Sequence, residues 1–72
     1  MQNVTFELTG EFIALNDLLK VAGVADSGGA GKALVASGLV SVDGKLESRK
    51  TAKIRAGQTV SLDGIRIRVV AG

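Results

Sequence analysis

Two groups of residues in this 72-residue chain have the types and spacing to hold an anion. The first is Ser27-Gly28-Gly29, followed by Lys32 about one helical turn later. Uncrowded backbone N–H groups at a helix start, with a cation just beyond them, favour a phosphate or a carboxylate. The second is the run Lys45, Arg49, Lys50, Lys53 and Arg55, opposed only by Glu47. Neither group is a nucleotide motif. A Walker-type loop needs Gly five residues before Gly31, where Asp26 stands, and Ser or Thr after Lys32, where Ala33 stands. A dinucleotide fingerprint would put its third Gly at Leu34. The plain alternatives are a loose helix start and a solvated charged loop. Favouring the anion, the Asp43-Gly44 turn can fold the basic run back over the helix start.

The elements that must position these residues follow from periodicity. Val4, Phe6 and Leu8 alternate with Thr5 and Glu7, which predicts a half-buried strand over 4–8. Phe12 and Ile13 return the chain to the core. Leu15, Leu18, Leu19 and Ala22 form one apolar stripe, so a first helix runs over 15–22 and closes at Gly23. A second helix runs over 27–38, capped by Asp26 or Ser27, with Gly31, Leu34 and Val35 inward and Gly38 as its stop. Gly in its first turns costs about 1 kcal/mol per residue against Ala. Close helix approach at Gly31, or a ligand near Gly28 and Gly29, would offset that loss. Strands follow over 39–42, 45–47, 59–62 and 65–69, with hairpin turns at Asp43-Gly44 and Asp63-Gly64, a loop at 48–52, and Ile54 as a lone anchor. Strand, helix, helix, then strands reads as α+β: two short helices packed on a small, mostly antiparallel sheet. The chain is expected to form one domain, 1–72.

Composition narrows the chemistry. Cys and His are both absent, which removes disulfides, thiolate metal sites and the commonest general base. The acids Asp17, Asp26, Asp43, Glu47 and Asp63 sit at caps and turns without metal-ligand spacing. No nucleophile stands beside a base, so an enzyme is not expected and no cofactor is implied. No apolar run approaches the roughly 20 residues of a membrane span, and the amino-terminal residues have no basic, signal-like segment, which makes the cytoplasm the expected location. Net charge is +2 but uneven: residues 1–31 carry one Lys against four acids, and residues 32–72 carry eight Lys and Arg against three acids. Such asymmetry points to an anionic partner. Phe6 and Phe12 are the only aromatics, and both read as core, so base stacking is not expected. Recognition through backbone charge and shape remains, which suits folded RNA. An adaptor that turns the basic face toward an acidic protein surface is the alternative.

The ordered series Leu15-x-x-Leu18-Leu19-Lys20-x-x-Gly23, Ser27-Gly28-Gly29-x-x-Lys32, Gly38-x-Val40-x-Val42-Asp43-Gly44 and Glu47-x-Arg49-Lys50 resembles the RNA-binding domain first described in the fourth protein of the small ribosomal subunit. This domain is also called the alpha-L motif. The resemblance spans 4–70 and is closest to the short, stand-alone bacterial members of the YbcJ type. It implies a translation- or ribosome-associated module whose two helices and following hairpin make one face for structured ribosomal or transfer RNA. On matching positions that face holds Ser27, Gly28, Gly29, Lys32, Lys45, Arg49, Lys50 and Lys53. Two positions depart from the pattern: Gly28 stands where many longer members carry Arg, and Gly31 where Ala is more usual.

Overall fold

Leu15, Leu18 and Leu19 are completely buried, and the rest of the chain is laid around them. In the computed structural model, which describes residues 2–72, nine elements follow in order. They are β1 (Gln2–Leu8), β2 (Ile13–Ala14), α1 (Leu15–Val21), α2 (Gly28–Ala36), β3 (Ser41–Val42), β4 (Lys45–Leu46), β5 (Lys53–Ile54), β6 (Thr59–Leu62) and β7 (Ile65–Ala71). The expected α+β architecture is present: both helices cover one face of a five-stranded sheet ordered β1-β7-β6-β3-β4. Every pairing in that sheet is antiparallel except β1 with β7.

The register explains what each face carries. Val4, Ile67, Val60, Val42 and Lys45 share one rung across all five strands, so an apolar row beneath the helices ends in a cation at the free edge. The neighbouring rung is Asn3, Arg66, Ser61, Ser41 and Leu46, and it faces away from the helices. Arg66 and Arg68 therefore belong to a polar outer face. Both hairpins turn on residues in the left-handed region, Asp43 (φ 51) with Gly44 and Asp63 (φ 40) with Gly64, as the Asp-Gly pairs require. The two turns differ in support. Asp43 donates its N–H to the Thr59 carbonyl at 2.8 Å and accepts from the Thr59 N–H through Oδ1 at 3.0 Å. Among the described residues no such carboxylate bond holds Asp63.

Helix ends follow the local chemistry. Val24 N–H reaches the Leu19 carbonyl at 3.0 Å and Gly23 N–H the Lys20 carbonyl at 3.0 Å, closing α1 in a Schellman motif. The helices cross at Gly31, where a Cβ would stand 2.5 Å from the Asn16 carbonyl oxygen. Of the two offsets expected for a Gly-rich helix, close helix approach at Gly31 is therefore present.

Three readings are corrected. Ile54 is not a lone anchor: with Lys53 it forms β5, which pairs with β2 in a separate two-stranded ladder, Ile13 against Ile54 and Ala14 against Lys53. Phe12 is not core. It is 42% exposed, because Ile13 takes the inward position of an alternating segment and turns its predecessor outward. The strand expected over 39–42 is shorter, since Leu39 stands in solvent and only Val40 is buried ahead of β3.

Candidate nucleic-acid interface

The amino end of α2 is held open by its cap. Ser27, not Asp26, is the N-cap; its extended backbone (φ −154) lets Oγ accept the Ala30 N–H at 3.0 Å. Among the described residues the N–H groups of Gly28 and Gly29 have no acceptor. These donors and the positive end of the α2 dipole point outward together. Lys32 is exposed further along the same helix.

The basic loop reaches this end through Asn16. Leu15 N–H donates to the Ala52 carbonyl at 2.8 Å and Asn16 N–H to the Lys50 carbonyl at 3.2 Å, so the loop supplies acceptors to the first turn of α1. On the other side, Asn16 Nδ2 donates to the Gly28 carbonyl at 3.4 Å. Asn16 is 6% exposed and thus bonds at once to the backbone of Lys50 and to the start of α2. Its Oδ1 is buried without a partner among the described residues.

Apart from the exposed Lys32, the expected residues fall into four settings. Ser27, Gly28, Gly29 and Lys50 are drawn together by Asn16. Lys53 sits beside them, opposite Ala14 at the entry to α1. Lys45 stands apart on the edge strand β4, on the helix-bearing side, with no bond tying it to Asn16 or α2. Arg49 is 78% exposed at its side chain, yet part of its guanidinium is already engaged by Glu47. Nε donates to Oε2 and Nη2 to Oε1, each at 3.0 Å, and the Arg49 backbone N–H also donates to Oε2 at 3.0 Å. These bonds hold the Glu47 carboxyl at about 2, well below its ordinary value.

Two residues that border these groups lie outside the expected set. Asn16 carries no local signal, since no spacing marks a contact with Gly28, twelve positions away. Phe12 lies on the outer side of the β2–β5 ladder with Lys53 Nζ 5.0 Å and Arg55 Cζ 6.0 Å from its ring centroid. Its signal was present in the sequence, since two adjacent apolar residues in extended chain cannot both point inward. Among the described residues no three His, Cys, Asp or Glu side chains could hold a metal, and no helix is long and apolar enough to cross a membrane.

Comparison with known proteins identifies the family and the fold. YbcJ of Escherichia coli K12, provisionally named for RNA binding, is 51% identical over 59 residues, 82% of this chain and 84% of that one. An uncharacterized YbcJ of Shigella flexneri matches over the same 59 residues at 51% identity. The solution structure of YbcJ from E. coli, described as revealing an alfaL motif involved in RNA-binding, superposes with a TM-score of 0.70 at 44% identity, covering 99% of this chain and 89% of that one. The model of the S4 domain matches residues 6–70. With two helices laid on the same kind of sheet and a match over nearly its whole length, the chain belongs to the S4 domain family.

Proposed function

We propose that this protein is a non-catalytic module that binds structured RNA, ribosomal or transfer RNA, through backbone phosphates. The observation that carries this reading is the double engagement of Asn16, whose bonds to Lys50 and Gly28 join a basic loop to an open helix end. A phosphate there would meet the Gly28 and Gly29 N–H groups, with Lys50 and Lys53 on one flank and Lys32 on the other. Family membership and the RNA-binding description of YbcJ support the same reading. The outward side chains of this face are mostly cations, which suits the shape and charge of a folded RNA.

About four phosphate contacts would give a slope of log K against log salt of roughly −3. Filter binding with ribosomal or transfer RNA across a salt series measures it. Lys32→Glu combined with Lys50→Glu is expected to flatten the slope and weaken binding; unchanged affinity means that the interface lies elsewhere. Ribonuclease treatment of a pull-down separates RNA binding from an adaptor, because an adaptor keeps its acidic partner after digestion.

A further inference from the structure

We infer that Phe12 is a stacking platform for one unpaired nucleobase, placed at the edge of the basic face. This rests on the RNA reading above and adds to it a ligand feature, an extruded base beside a duplex. Three observations converge on the ring. Phe12 is 42% exposed and lies outside the hydrophobic core, so the fold gains little from a large apolar group at this position. The register fixes its direction: Ile13 and Ile54 pair inward, so Phe12, Ala14, Lys53 and Arg55 occupy the outer side of the ladder. The small Ala14 leaves the surface beside the ring low.

The third observation is the pair of cations. Lys53 Nζ lies 5.0 Å and Arg55 Cζ 6.0 Å from the ring centroid, and among the described residues neither side chain is in an ion pair. Among the described residues the Arg55 side chain makes one hydrogen bond, a long one from Nη1 to the backbone carbonyl of Glu11 at 3.5 Å. Cation–ring attraction at an exposed site is weak, so both cations can leave the ring without loss of structure. A planar base would take the ring face, and the displaced Lys53 and Arg55 would meet the phosphates on either side of that nucleotide. Lys53 follows Ala52, whose carbonyl receives the first N–H of α1, so the platform adjoins the loop that carries Lys50. An unpaired base next to a stem would then reach Phe12 while the stem backbone lies along the α2 start.

The test uses two short RNA hairpins with one stem, the first fully paired and the second with a single bulged 2-aminopurine. Base–aromatic stacking has the strength to favour the bulged hairpin by about 5- to 150-fold in Kd. The bulged base is expected to lose fluorescence when it stacks on the ring. Phe12→Leu should abolish the preference and the fluorescence change while keeping affinity for the paired hairpin; Phe12→Trp should keep all three. Equal binding of the two hairpins by the parent protein, or a preference that survives Phe12→Leu, overturns the platform and leaves the phosphate interface standing. Failure of the parent to bind either hairpin overturns the RNA reading and the platform with it.

Discussion

Gly28→Arg is a test of whether phosphate reaches the amino end of α2. Gly28 has an ordinary helical backbone, and a Cβ there would lie 3.5 Å from Asn16 Nδ2 and 3.6 Å from Asp17 Oδ1, which is normal van der Waals contact. The side chain therefore fits without moving α1. Two stability effects nearly cancel. Replacing Gly by Arg in a helix favours folding by up to about 0.8 kcal/mol, less in a first turn. A cation at the positive end of the dipole costs about 0.3 to 1 kcal/mol. Binding should change more. One added phosphate contact steepens the salt slope by about 0.7 to 0.9, which at about 0.15 M salt is roughly 4- to 5-fold in affinity. Gly28→Ala, which adds the backbone preference without the charge, should leave affinity unchanged. Asp17 is the competing acid, so the substitution is also made with Asp17→Asn. RNA titrations from low to high salt measure the slope. A slope identical to that of the parent in both backgrounds would refute the proposal that phosphate contacts this helix end.

Three further outcomes are expected. Gly31→Val drives a branched side chain into the Asn16 carbonyl, 2.5 Å from the Cβ position; overpacking of about 1 to 3 kcal/mol should exceed the few tenths gained in helix preference, read as a lower urea midpoint at unchanged m. Asp43→Ala should destabilise by about 1 to 3 kcal/mol more than Asp63→Ala, since both lose a residue tolerant of positive φ but only Asp43 also gives up its carboxylate bond to Thr59; thermal melts of the two variants compare them. Glu47 has its carboxyl lowered from 4.5 to about 2, so its pairing with Arg49 contributes stability fully above pH 4.5, progressively less as pH falls, and none below about 2. The amplitude is small because Arg49 is well exposed, and Glu47→Gln should flatten only that acid segment of the stability curve.

What could be read in advance was what local chemistry decides. Asp-Gly pairs call for positive φ wherever they stand, and both hairpins follow. Leu15, Leu18 and Leu19 line one side of a helix by spacing alone, and the α2 cap is narrowed to Asp26 or Ser27, of which Ser27 takes the Ala30 N–H. The parallel union of β1 with β7 has no local mark, since its partners are joined only by the folding of everything between them. β2 and β5 have two residues each, too few for a period to show their ladder, and without it nothing local decides which of Phe12 and Ile13 turns inward. At the site, the charged residues were visible as a list, whereas the tie through Asn16 depends on how closely Gly31 lets two helices approach.

The position of β1 bears on how the protein is made. Its sole neighbour in the sheet is β7, and Gln2 is matched to Ile65. During translation the first strand must wait, with Val4, Phe6 and Leu8 unsheltered, until the last one leaves the ribosome. Contacts of such long sequence separation slow folding. A nascent chain halted before residue 65 would offer a sticky, unpaired ribbon to chaperones and proteases, so damage to the final strand should act on abundance before it acts on binding.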